Sequence, residues 1–479
     1  MGPFYGMLPR GHAVYARLLP GSISRMLCLI QPLAVWLAEE ERKMRVRAPF
    51  VAAVPTHTIN FASGCIWKIC LAIFGGTISL ILVFGTLSPP TAQAQTLSTV
   101  YSFQGIPDKE MEGDGANPWG SVVRDAQGNL YGTTYSGGVQ LYSNGGYGTV
   151  FKVDSSGAET VLHRFTNGAD GAYPWKGSLL LDASGNLYGT TSSGGANDSG
   201  VVFKIDQAGN ETVLYAFTGG TDGGFPYAGL IRNAQGNLYG TTFAGGDLGC
   251  SYEYPGCGVV FKVNENGKET VLYSFTGTNG DGESPAAGLV LDTQGNLYGT
   301  TLMGGDLSCS NLGQFPGCGT VFKVDPTGQE TILHTFTGLD GACPSGPVTM
   351  DSAGNLYGPT GCNGPNNTGT VYKTNAHGAF LLLYAFPDEF ENGNGPTGQL
   401  LLDDTGSIYG VTSGGGTNDY GVLYTLTPAG EQTVLHKFTG GSDGGAPYSG
   451  VIFGSGKNLY GTTQFGGSSG VGVVYEFTQ

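Results

Sequence analysis

The chain has 479 residues, and 85 of them are glycine, about 18% against a usual ~7%; 12% are charged and 11% aromatic. Each glycine weakens a helix interior by roughly 1 kcal/mol, which excludes coiled coils and helical bundles. The absence of a three-residue glycine period excludes collagen, and the supply of Tyr, Phe, Val and Leu excludes a disordered chain.

Residues 1–43 fit no targeting pattern, and Met44 is a more natural start. Ile69 to Leu87 is an uncharged apolar run of 19 residues, preceded by Arg45, Arg47 and Lys68 and followed by Pro89, Pro90 and the small residues Ala92 and Ala94. That is the layout of a secretory signal with an Ala-x-Ala cleavage site, cut after Ala94. The run is also just long enough to span a bilayer, so a retained N-terminal anchor is the alternative and the single expected contact with a membrane. The chain thus divides into 1–94, an extension with a signal or anchor, and 95–479, a single repeat domain.

Beyond residue 94 stand 13 Lys and Arg against 34 Asp and Glu, a net charge of −21. This disfavours nucleic acid and anionic membranes, which select basic surfaces. Six cysteines lie here: Cys250, Cys257, Cys309, Cys318, Cys343 and Cys362. An even number in an exported chain reads as disulfides. Cys250/Cys257 and Cys309/Cys318 occupy matching loops of neighbouring repeats and are expected to pair locally, leaving Cys343 with Cys362. Zinc is the rival reading, weakened by the lack of a Cys-x-x-Cys or a nearby His cluster.

Asn-Leu-Tyr-Gly or a near match occurs seven times, with tyrosines at Tyr131, Tyr188, Tyr239, Tyr298, Tyr357, Tyr409 and Tyr460, spaced 51 to 59 residues apart. Every period holds four short runs rich in β-branched and aromatic residues, as in Gly288–Asp292, Asn296–Thr301, Thr320–Val324 and Glu330–Phe336. Asp-x-x-Gly turns join first to second and third to fourth runs, and long loops make the other connections. Short hairpins therefore share one face and long loops the other. Seven four-stranded antiparallel units describe a β-propeller, with a β-solenoid second. A lone fourth-type run (Leu97–Phe103) opens the domain, and a lone third-type run (Val473–Phe477) ends it. The N-terminal strand is expected to complete blade seven and close the ring.

The tandem G-N-L-Y-G-T-T, V-F-K-V-D, E-T-V-L-Y-x-F-T-G and D-G-x-x-P pattern, in seven copies over residues 96–479, resembles the GloVer tandem-repeat family. The resemblance implies an exported bacterial protein of the kind that carries a choice of C-terminal anchor; it implies no activity. The G-L-x-x-D cadence is also similar to two-component-regulator propeller repeats, which implies that the Gly-Leu strand is innermost.

The Tyr of each Asn-Leu-Tyr-Gly reads as inter-blade packing. His163, His334 and His436 stand where other repeats have Tyr101, Tyr215, Tyr273 and Tyr384, and read as packing variants. No histidine is expected among the long loops, so a Ser-His-Asp or Cys-His arrangement lacks its base. Each first strand is entered through Asp-Gly-x-x-Pro, with Asp114, Asp170, Asp222, Asp281, Asp340 and Asp443, and Asn392 in the sixth copy. These read as Asx-type turns or as a ring of carboxylates that could take Ca²⁺ or a basic partner; no cofactor is otherwise implied.

After the Pro come Trp119, Trp175 and Tyr227, then Ala286, Ser345 and Thr397, then Tyr448. In a closed ring the four aromatics are neighbours and form an arc at the channel mouth. Aromatic faces with Asp114, Asp170, Asp222 and Asp443 nearby suit sugar rings, which stack and hydrogen-bond at once. Aromatics covering loop backbone is the plainer reading. The expectation is a secreted or surface-exposed, non-catalytic propeller that binds a glycan or another extracellular polymer or protein. The alternative is a secreted carbohydrate-active enzyme using two face carboxylates.

Overall fold

The computed structural model describes residues 58–60, 66–74, 77–82 and 95–479, apart from 107–111, 140–144, 251–253, 312–314 and 345. The chain divides into two compact units, Met1–Ala92 and Gln93–Gln479. In the first, Thr58–Asn60, Ile66–Phe74 and Thr77–Leu82 make an antiparallel meander, with Ile69 opposite Leu82. Part of the apolar run read as a signal or anchor lies in these strands, and the cleavage site at Ala92–Ala94 lies outside the described residues. Among the described residues no helix is long and apolar enough to cross a membrane.

The second unit is seven four-stranded antiparallel sheets arranged as a propeller. Blade two is typical: Leu180–Leu181, Leu187–Thr191, Val201–Ile205 and Glu211–Ala216, each strand pairing with the next. Blade seven takes its outer strand from the start of the unit, because Thr96–Ser102 pairs along Val473–Thr478, from Thr96 opposite Thr478 to Ser102 opposite Val473. Blades seven and one then pack together through Phe103, Val122, Phe151 and Val474, all fully buried.

The repeated phrases have distinct mechanical jobs. In the first hairpin, Asp182 accepts backbone N–H bonds from Ser184 and Asn186, and the hydroxyl of Tyr188 donates to its second oxygen at 3.1 Å. The same tyrosine packs in the cluster shared with blade three, beside Phe217, Leu230 and Phe261. The following glycine is required by close approach: a Cβ on Gly189 would lie 2.6 Å from the Phe203 ring and one on Gly240 2.6 Å from Phe261.

Around the channel neighbouring backbones touch, so that a Cβ on Gly177 would stand 2.8 Å from the backbone of Ala228. Hydroxyls staple the blades at this level: Thr190 to the Ala228 carbonyl (2.8 Å), Thr241 to that of Ala287 (3.1 Å) and Thr462 to that of Gly120 (3.0 Å), the last crossing the ring closure. Core, seams and channel wall are thus fixed by one repeated set of contacts, and positions outside that set are free to carry function.

Candidate functional site

The Asp-Gly-x-x-Pro loop fixes the mouth of the channel. The residue before each Pro takes left-handed backbone: Asn117, Tyr173, Phe225, Ser284, Cys343 and Ala446 have φ between 50° and 57°, and blade six uses Gly395. Non-glycine residues hold this conformation only where surroundings impose it. Here the imposing contacts are backbone bonds to the preceding blade, such as Phe225 N–H to Ser199 O at 2.8 Å and Ala446 N–H to Tyr420 O at 2.8 Å. Each Pro then lies over a glycine of that blade; a Cβ on Gly200 would meet Pro226 Cδ at 2.7 Å. The residue after the Pro is delivered to the mouth with little freedom.

In blades seven, one, two and three this delivers one contiguous aromatic array. Tyr448 and Trp119 have ring centres 6.0 Å apart, Trp119 and Trp175 meet edge to face at 4.3 Å, and Tyr227 stacks on Trp175 at 5.2 Å. All four stay partly exposed. Tyr135 stacks on Trp119 at 4.6 Å, and Phe243 stacks on Tyr227 at 4.8 Å. Both follow the Asn-Leu-Tyr-Gly-Thr-Thr of blades one and three, an aromatic position that sequence reasoning did not single out. Nε1 of Trp119 is buried without a hydrogen-bond partner.

The acidic residues lie elsewhere. Each Asp of the loop is clasped to a fourth strand: Asp114 accepts from the hydroxyl of Tyr101 (2.6 Å), Asp222 from Tyr215 (2.8 Å) and Asp281 from Tyr273 (3.1 Å). Asp170, Asp340 and Asp443 pair with Nε2 of His163 (3.2 Å), His334 (2.8 Å) and His436 (2.9 Å). Backbone N–H groups of Thr166, Thr218, Thr276, Thr337 and Thr439 complete five of these clasps. The histidines are therefore working hydrogen-bond partners that tie loop to strand. The structure gathers the four aromatics and disperses the carboxylates along the blade seams.

At four seams a second carboxyl sits beside the clasp. Burial, then repulsion from Asp114, Asp222 and Asp281 respectively, pushes Glu159, Glu269 and Glu330 up to about 7; burial also raises Glu211, where His163 opposes the rise and Asp170 adds to it. One carboxyl oxygen of each is buried and unpartnered. A raised Glu beside an ionised Asp is the signature of an acid–base pair, but its recurrence in four successive blades marks a structural seam. Among the described residues no group of three or more His, Cys, Asp or Glu is placed to hold a metal.

Cys250–Cys257 and Cys309–Cys318 are disulfides. For the third expected pair, the structure sets Cys343 and Cys362 beside each other. Backbone pairing of Ala342 with Cys362 brings them side by side, and a hydrogen bond from the Cys343 side depresses the Cys362 pKa.

Below the arc lies a cavity of about 290 Å³ walled by inner-strand residues, among them Leu179, Leu230, Leu289, Gln399, Ser449 and Val451. Lys176 is the one charged residue in its lining. Its ammonium stands 5.5 Å from the Tyr448 ring centre, and among the described residues no carboxylate pairs with it. The side chain keeps access to solvent through the cavity, yet protein encloses it, and that burial lowers its pKa against the opposing pull of Cys362 and Cys343.

The profile of the Gloeobacter/Verrucomicrobia repeat matches residues 73–252, 251–404 and 382–479, most of the chain. The chain belongs to this repeat family. No curated protein sequence matches it. Among solved structures it is similar to a luciferin-regenerating enzyme (15% identity, 64% of this chain and 92% of that one, TM-score 0.39) and to puromycin hydrolase (14%, 75% and 52%, TM-score 0.43). Likenesses this distant carry no activity to the repeat-family chain.

Proposed function

We propose that this chain is a secreted or surface-displayed, non-catalytic propeller that binds a glycan at the long-loop mouth of its channel. The observation that carries the reading is the run Tyr448–Trp119–Trp175–Tyr227, four partly exposed rings in contact above a cavity. Such rings offer flat apolar faces to sugar C–H groups, while backbone carbonyls, Ser449 and Gln399 supply polar partners below. Export is supported by the two disulfides, which persist in oxidising compartments. The Asp residues of the loop are not part of this cradle; their oxygens are engaged by Tyr, His and Thr of their own seams.

A glycan array probed with the purified chain tests the reading. Retention of one glycan class, lost in Trp175→Ala but kept in Lys268→Ala in a short hairpin away from the mouth, is the expected result. No retained glycan, or equal retention by both variants, would refute it.

A further inference from the structure

The cavity under the arc has a chemical preference of its own. Its lining is backbone, aliphatic side chains, Ser121, Ser178, Gln399, Ser449, the Tyr448 ring and one cation, Lys176. An enclosed charge without a counter-charge is costly. The cation–π contact with Tyr448 recovers only part of that cost. Cys362 and Cys343 draw on the ammonium, and among the described residues no carboxylate pairs with it. A cavity whose sole charged group among the described residues is a lysine with no carboxylate partner among them is set up for an anion that arrives with the ligand.

Lys176 is also an exception within its repeat. In the matching place before the channel glycine stand Ala228 in blade three, Ala287 in blade four and Ser449 in blade seven, all lining the same cavity. Those small residues show what the packing alone requires. Lys176 exceeds that requirement, directly follows Trp175, and points its amine at the ring of Tyr448, so it shares the aromatic site.

We infer that the ligand is an acidic sugar: a uronate residue at a chain end enters the cavity and sets its carboxylate on Lys176, while the preceding sugar stacks on Trp119 and Trp175. The inference rests on the glycan-binding reading and narrows it to carboxylate-bearing sugars. A cavity of about 290 Å³ accommodates a single sugar residue, which is the chain end placed there. Ammonium–carboxylate bonds are shorter and stronger than neutral ones, and the enclosed site protects this one from salt.

The experiment is calorimetric titration of the full chain with the trimers of galacturonate, guluronate and glucuronate, each beside its methyl ester, which keeps the sugar and removes the charge. At least one acid should bind at least about ten times more tightly than its ester. Lys176→Gln should reduce that acid to the affinity of the ester and leave the ester unchanged, and Lys176→Arg should keep the preference; melting curves confirm that the variants fold. Esters or neutral sugars binding as well as the acids would overturn the inference while leaving the glycan reading intact. No binding by any acid, ester or arrayed neutral glycan would overturn both.

Discussion

The two halves of the channel mouth are built on one backbone and finished differently. Blades seven, one, two and three place Tyr448, Trp119, Trp175 and Tyr227 after the loop Pro; blades four and six place Ala286 and Thr397 there, and Thr397 turns its hydroxyl to the Tyr448 carbonyl at 3.0 Å. The left-handed residue, the Pro over glycine and the inter-blade N–H bond recur on both sides. Folding does not ask for the aromatics, since half the ring manages without them. The bare half instead carries the disulfide Cys309–Cys318 and the neighbouring Cys343 and Cys362. The proposed binding wall thus lies on the ring-lined half alone.

Breaking the aromatic half should have the largest effect. Trp119→Ala with Trp175→Ala should abolish glycan retention. Because these rings stack on each other and on Tyr135 and Tyr227, it should also cost about 2 kcal/mol, less than a fully buried Trp. Denaturant unfolding read by circular dichroism checks the second part. Lys268→Ala, in a short hairpin away from the mouth, should change neither quantity.

The seams sharpen the comparison next, because buried Glu is confined to blades one to four. A carboxyl raised from 4.5 to about 7 in the folded state stabilises most below pH 4.5, and that contribution is lost as pH rises through 7. Glu159→Gln, Glu269→Gln and Glu330→Gln together should therefore leave acid stability unchanged and raise stability at pH 8. These groups are only partly buried, so solvent screening limits the gain to about 0.5–1 kcal/mol each. Melting curves from pH 4 to pH 8 decide it, and a gap between variant and parent that fails to widen with pH would contradict the account.

A smaller contrast lies in the core. Blades one to four put Phe151, Phe203, Phe261 and Phe322 under the Asn-Leu-Tyr-Gly glycine, where blades five to seven put Tyr372, Tyr424 and Tyr475 with buried, unpartnered hydroxyls. Tyr→Phe at each of the three should stabilise by about 1 kcal/mol. Thermal melts of the single variants check this. The smallest effect concerns the cysteines: alkylation of the unfolded, unreduced chain followed by peptide mapping should spare Cys250, Cys257, Cys309 and Cys318, which should be labelled only after reduction.

The fold was legible because its signals are repeated. Seven Asn-Leu-Tyr-Gly phrases, the Asp-x-x-Gly hairpins and the unmatched runs at 97–103 and 473–477 each constrain the same ring. The aromatic arc was legible too, since a fixed place after Pro varies by blade. Partners across seams were hidden: nothing in the local sequence says that Asp114 will meet Tyr101 and Glu159, because the pairing exists only once blades abut. Lys176 was hidden for the opposite reason. It occurs once, in a place where repeats carry Ala or Ser, and a search for recurrence passes over such an exception. The Cys343–Cys362 pairing was inferred by elimination, which counts cysteines and says nothing of how the strands bring the two side by side.

The most direct test of the arc uses its own tryptophans. The chain has four, and replacing Trp36 and Trp67 by Phe leaves Trp119 and Trp175 as the sole emitters. Titrating that variant with the glycan retained on the array should give a saturable shift in tryptophan emission with the midpoint found by calorimetry. Heat of binding with unchanged emission would place the ligand away from the arc and contradict the account.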